Sequence, residues 1–157
     1  MKILFVCTGN VFRSMSAEYC LKKYIRDMGI KNVSVSSAGI TAKKEPIHPE
    51  VIIDLQKLGI SCKKHTQRKL TKEILAKNDL VIAMAYIHKK FIKEKFGITV
   101  PLFNAIAIGK NTSIYDIEDI VRNYAIDKKA VNTYIGKTIT YIYTKTPALY
   151  KKIEKLM

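Results

Sequence analysis

The sequence predicts an α/β fold, a parallel sheet with helices on both faces and a tight turn after the first strand. Three observations carry this. Short continuous apolar runs alternate with helically periodic segments along the 157 residues, the pattern of successive βαβ units. Glycines stand just past the helical segments, where a C-terminal cap is needed. The first run is apolar at every position from Ile3 to Val6, as strands buried on both faces are.

Taken in order, Lys2 to Val6 reads as the first buried strand, ending at a turn that contains Gly9. Ser16 to Met28 places Ala17, Cys20, Leu21, Tyr24, Ile25 and Met28 at helical spacing, and Gly29 ends it. Val33 to Ser37 is strand-like. Pro49 to Leu58 sets Val51, Ile52, Leu55 and Leu58 on one helical face before Gly59. Asp79 to Met84 is a further apolar strand, His88 to Phe96 a helix stopped by Gly97, and Ile98 to Phe103 a last strand. Asn104 to Asp127 has weak periodicity and predicts a long loop, a kind of segment that is often functional in a compact domain. Lys128 to Lys145 reads as a helix, and Pro147 as the start of a separate terminal helix through Leu156. No repeat or linker divides the chain, so residues 1–157 are expected to form one domain.

Composition narrows the function classes. Hydrophobic residues at 48% and charged residues at 26% exclude wholesale disorder. No apolar run approaches the ~20 residues of a membrane span, and the N-terminal run is too short for a signal-peptide core; a cytoplasmic location is the expectation. Three cysteines, Cys7, Cys20 and Cys62, without a CxxC pair argue against a disulfide framework or a cysteine-rich zinc site. His48, His65 and His88 lack metal-ligand spacing and read as surface or loop residues. The formal charge of +15 favours anionic partners, but its lysines are scattered in pairs and no nucleic-acid-reading motif accompanies them.

The chemistry concentrates in Val6-Cys7-Thr8-Gly9-Asn10-Val11-Phe12-Arg13-Ser14. A Cys and an Arg six positions apart are weak alone. Here the Cys ends a buried strand, Gly9 and Asn10 tolerate left-handed backbone in a tight loop, and Ser14 or Ser16 can cap the helix that follows. In such a loop the N–H groups of Thr8, Gly9, Asn10, Val11, Phe12 and Ser14 turn inward as an anion cradle. Arg13 adds a planar bidentate contact that Lys could not imitate. The helix N-terminus and the guanidinium favour the thiolate of Cys7, a nucleophile aimed at phosphorus, and the Ser14 hydroxyl can donate to it.

With these residues the chain resembles the low-molecular-weight protein tyrosine phosphatases, a family that includes arsenate reductases and phosphoarginine phosphatases. The resemblance extends through Ala17-Glu18, Ser37-Ala38-Gly39, the Pro46 and Pro49 region, Gly59-Ile60, His65, Arg68-Lys69-Leu70-Thr71 and Asp79-Leu80-Val81-Ile82. It implies a Rossmann-like sheet of four parallel strands with a phosphate-binding loop after the first. It also implies hydrolysis of phosphate monoesters, on a phosphorylated protein or a small molecule, through a cysteinyl-phosphate and without a metal or other cofactor.

Four departures from the family pattern refine the expectation. Phe12 stands where the family often has a second cysteine able to form a protective disulfide, and Met15 where a proline commonly follows the loop serine. Lys43-Lys44 falls where phosphotyrosine-preferring members often place an aromatic, which suits substrates with acidic flanks. Val11, by contrast, matches the aliphatic residue of phosphotyrosine enzymes rather than the threonine of phosphoarginine phosphatases. The family's general acid is an aspartate, usually in Asp-Pro, and no Asp-Pro occurs here. Aligning Ile117-Glu118-Asp119 makes Asp119 the acid; aligning the following aromatic puts Asn123 there, which cannot donate the proton; Asp116 is a third candidate. A chain with Asn123 in that position would be a phospho-binding module without turnover. An arsenate reductase would need further cysteines after the middle strand, where this chain has Ala83-Met84-Ala85-Tyr86.

Overall fold

A computed structural model describes residues 1–156. Its elements run β1 (Lys2–Cys7), α1 (Arg13–Asp27), β2 (Ser34–Gly39), α2 (Pro49–Lys57), α3 (Lys72–Ala76), β3 (Leu80–Ala83), α4 (Tyr86–Phe96), α5 (Phe103–Ile108), α6 (Ile117–Ile120) and α7 (Lys128–Glu154). The strands form one parallel sheet in the order β2-β1-β3. β1 is central and buried on both faces. Ile3, Phe5 and Cys7 face the layer of α1, α2, α5 and α7, while Leu4 and Val6 pack with Leu75, Ile92 and Val100 on the other side. That two-sided burial is why the run has no polar alternation.

Because β1 connects to neighbours on opposite sides, its C-terminal end is the switch point of the sheet, where open α/β folds bind ligands. The register brings Cys7 level with Gly39 and Val6 level with Ala83. The ends of all three strands therefore face the same loop. Gly29, Gly59 and Gly97 stop their helices at φ of 64°, 73° and 73°, as the sequence predicts.

Three expectations change. The segment Ile98 to Phe103 is not a regular fourth strand among the described residues. It meets the sheet through one parallel bridge, Ala83 to Leu102, with Ala83 N–H donating to Pro101 O at 2.9 Å. Pro101 has no N–H to return, and Phe103 already begins α5. The stretch Asn104 to Asp127 is less loop-like than its periodicity predicts, since it holds most of α5 and all of α6. Finally, the two expected C-terminal helices are one: α7 runs through Pro147 to Glu154. Its buried face continues across the proline in Ile142, Thr146, Leu149, Tyr150 and Ile153. Packing against α1 there outweighs the lost helical hydrogen bond. No helix among the described residues is long and apolar enough to cross a membrane.

Candidate active site

The loop between β1 and α1 turns on Asn10, which is wholly buried at φ 60°, a conformation that asparagine tolerates better than most side chains. Every polar atom of its side chain is engaged. Nδ2 donates to Ser14 Oγ at 3.1 Å and Ser37 Oγ at 2.7 Å, and Oδ1 accepts from Arg68 N–H at 3.0 Å. His65 Nε2 donates to the Asn10 carbonyl at 2.7 Å. Ser37 Oγ in turn donates to Glu18, which pairs with Lys22 at 2.5 Å. From β2, Gly39 presses on the same loop: a Cβ there would stand 2.4 Å from Thr8 O and 2.9 Å from Asn10 N.

Cys7 lies at the floor. Its Sγ is 2.8 Å from Ser14 Oγ and accepts from Asn10 N–H at 3.3 Å. Among the described residues the Ser14 proton has only the Ala38 carbonyl, at 3.5 Å, as a competing acceptor, so a thiolate at Cys7 takes it. The N–H groups of Val11 and Phe12 donate to no acceptor among the described residues, and the positive end of the 15-residue α1 opens on the same spot. Ser14 and Ser16 do not cap this helix. The N-cap is Phe12, without a side-chain bond, both serines lie inside the helix, and Ser16 Oγ finds no partner. The N–H groups of the first turn therefore have no side-chain cap.

Arg13 is 2% exposed, with its guanidinium held at three points. It donates to Ile114 O at 3.1 Å, Thr8 Oγ1 at 3.2 Å and Asp116 Oδ2 at 2.5 Å. The loop that carries Asp116 is pinned from two further sides. Ile114 N–H donates to Met84 O at 2.8 Å, and Tyr134 Oη on α7 donates to Tyr115 O at 2.7 Å. Asp116 caps α6 through Ile117 N–H at 2.9 Å and faces the cleft. Asp119, which the first alignment favours as acid, does not: it lies a turn further on, where its Oδ2 accepts from Asp116 N–H at 3.0 Å. Asn123 lines a different hollow, beside Lys129 and Tyr134.

The cleft encloses about 340 Å³. Cys7, Val11 and Arg13 lie within it, and its rim mixes Lys43 with Glu45 and Glu118. The basic rim expected from Lys43-Lys44 is therefore offset by carboxylates. Of the three histidines expected at surface or loop positions, His65 is half-buried in a loop, whereas His88 departs from the expectation, buried in α4. His65 buttresses Asn10, and His88, with no exposed surface, lies beneath Thr8. Only the family resemblance points to His65, and no signal in the sequence points to His88, because each meets the loop from more than 50 residues away. Cys20 is core, its thiol pushed up to about 12 by burial. Cys62 is buried too, and its thiol is also raised by burial.

The chain belongs to the low molecular weight phosphotyrosine protein phosphatase family, whose sequence pattern matches residues 2–155. It is 39% identical over 98 residues to the protein-arginine-phosphatase of Bacillus subtilis (strain 168), a match covering 62% of this chain and 64% of that protein. The chain thus spans a little under two thirds of that curated relative's length. Solved structures match over nearly the whole chain. YwlE arginine phosphatase, as a cysteine-to-serine mutant with a phosphorylated active site serine, is similar at 28% identity and a TM-score of 0.84, covering 99% of this chain and 97% of that one. The low molecular weight protein tyrosine phosphatase from T. tengcongensis is similar at 27% identity and a TM-score of 0.81, covering 97% and 99%.

Proposed function

We propose that the protein hydrolyses phosphate monoesters of phenolic oxygens, phosphotyrosine in a protein or peptide first among them, through a cysteinyl-phosphate on Cys7. The observation that carries this reading is the joint placement of Cys7 Sγ, the Ser14 hydroxyl, the Arg13 guanidinium and unpartnered loop N–H groups around one cleft. The relative that carries phosphate on its active site serine supports the covalent step.

The substrate's phosphoryl oxygens take the amides of Thr8 to Ser14 and the guanidinium of Arg13, displacing Asp116 from it. The Cys7 thiolate attacks phosphorus as the ester P–O bond breaks, and the leaving oxygen receives a proton from Asp116. Water then attacks phosphorus as the S–P bond breaks and inorganic phosphate is released; Asp116 takes the water's proton, and the Ser14 O–H stabilises the departing Cys7 thiolate. Asp116 is preferred to Asp119 because it touches Arg13 and the cleft, whereas Asp119 is occupied in capping Asp116. A carboxylate in the cleft also weakens the case for a phospho-binding module without turnover. Val11 favours an aryl substrate. Phosphoarginine is the second reading, favoured by Glu45 and Glu118 at the rim, which suit a guanidinium, and by the name of the arginine phosphatase relative.

The test compares phosphotyrosine with nitrophenyl phosphate in the presence of a chelator. We predict turnover of both. Asp116→Asn should slow phosphotyrosine by ~10²-fold or more, while the better nitrophenolate leaving group is affected far less. Asp119→Asn should slow both mildly and equally. Leaving-group dependence in Asp119→Asn alone would return the acid to Asp119, and activity that requires a metal would refute the thiolate mechanism.

A further inference from the structure

His88 has no part in the steps above, yet its ring is fixed between two polar groups in a place with no access to water. Ala85 N–H donates to Nδ1 at 3.0 Å, and Nε2 lies 2.9 Å from Thr8 Oγ1. A backbone N–H can only donate, so Nδ1 is the unprotonated nitrogen, and in the neutral ring the proton is on Nε2. Burial, aided by the charge of Arg13, keeps the ring neutral by pushing its pKa down to about 3. Nε2–H therefore donates to the Thr8 hydroxyl. Arg13 donates to the same oxygen at 3.2 Å.

A hydroxyl oxygen accepts at two lone pairs and has one proton to give. Both acceptor positions of Thr8 Oγ1 are filled, by His88 and Arg13, and no acceptor among the described residues takes its proton. Thr8 lines the cleft. Its O–H has only the contents of that cleft to address.

We propose that the Thr8 hydroxyl is a further donor to the oxyanion in the cleft, and that His88 is the positioning residue that fixes the direction of its proton through Nε2–H. The ligand class is a tetrahedral oxyanion with an oxygen beside Arg13, such as a phosphoryl group in transfer or its vanadate mimic. The inference rests on the phosphatase reading. It adds to the loop amides one side-chain donor whose direction depends on a residue 80 positions away.

The experiment measures inhibition of aryl phosphate hydrolysis by orthovanadate in the intact chain and its variants. Thr8→Val, nearly isosteric, should weaken vanadate by ~10-fold or more, the loss expected for a hydrogen bond to a charged group. Thr8→Ser should recover most of that loss. His88→Phe should weaken vanadate similarly when Thr8 is present and add little in the Thr8→Val background. Because His88→Phe removes a buried polar contact and can compromise folding, ¹⁵N NMR of the wild-type imidazole supplies a second reading: His88 should hold its proton on Nε2 unchanged from pH 5 to 8. Thr8→Val that binds vanadate like wild type would overturn the proposal, as would a His88 spectrum showing Nδ1–H or imidazolium in that range. A wild-type protein that neither hydrolyses aryl phosphate nor binds vanadate would overturn the phosphatase reading, and this inference with it.

Discussion

At Gly39 the absence of one methyl group lets the loop between β1 and α1 take its shape. The atoms a Cβ would meet there include Thr8 O and Asn10 N, both backbone, together with Ala42 Cβ at 2.8 Å. Thr8 O is further tied to Thr41 N–H at 3.1 Å, so it cannot simply yield. Gly39→Ala should leave the circular dichroism spectrum intact and lower kcat/KM for an aryl phosphate by ~10²-fold, the cost of displacing catalytic groups by about 1 Å. Activity within twofold of wild type would mean that the loop shifts without penalty. That Cys7 and Arg13 meet in one cleft is legible in the sequence, because strand end, tight turn and helix start are contiguous there. The sequence leaves Asp116, Asp119 and Asn123 open as alternatives for the acid position, since Asp116 and Asp119 stand three positions apart in the same capping box, and the contact with Arg13 that distinguishes Asp116 is tertiary. His88 is not legible in the sequence, because a single histidine carries no spacing signal and only the folded topology brings it beneath the loop.

Among the elements, α7 shows packing overriding local propensity. Pro147 deprives the Tyr143 carbonyl of its helical donor, yet the helix continues. Hydroxyls add local bonds to the neighbouring carbonyls: Thr146 Oγ1 donates to Ile142 O at 2.8 Å and Thr144 Oγ1 to Tyr141 O at 3.0 Å. A proline in a helix interior costs about 3 kcal/mol against alanine, part of which is already relieved here. Pro147→Ala is therefore expected to stabilise the fold by ~1–2 kcal/mol, read as a higher urea midpoint with an unchanged slope. A lower midpoint would show that the proline is needed where it stands, on the exposed side of α7. A strand is most legible in the sequence where burial on both faces removes all alternation, as in β1. The segment Ile98 to Phe103 has the apolar pattern of a strand because Val100, Leu102 and Phe103 pack in the core, while Pro101 limits its pairing to one bridge.

For the whole molecule, acid stability follows from a neutral, buried His88 in a chain of charge +15. Its folded pKa is pushed down to about 3, against an unfolded value of ~6.5. Between the two the unfolded chain binds the extra proton, so His88's contribution is complete above pH ~6.5 and is lost as pH falls, by up to ~1.4 kcal/mol per pH unit. Protonation of carboxylates at lower pH adds to self-repulsion in the same direction. Urea midpoints should therefore decline from pH 6.5 to pH 4.5, and His88→Phe should flatten that decline even if it lowers the midpoint overall. A wild-type midpoint constant over this range would contradict the neutral burial of His88.

The covalent step is the central claim, and it can be caught directly. The purified chain, mixed with an aryl phosphate in chelator and quenched during turnover, should show by intact mass and peptide mapping one added phosphoryl group, located on Cys7. Cys7→Ser should lose turnover while still binding vanadate through Arg13 and the loop amides. Sustained hydrolysis by Cys7→Ser, or wild-type turnover with the trapped phosphoryl group on a residue other than Cys7, would contradict the account.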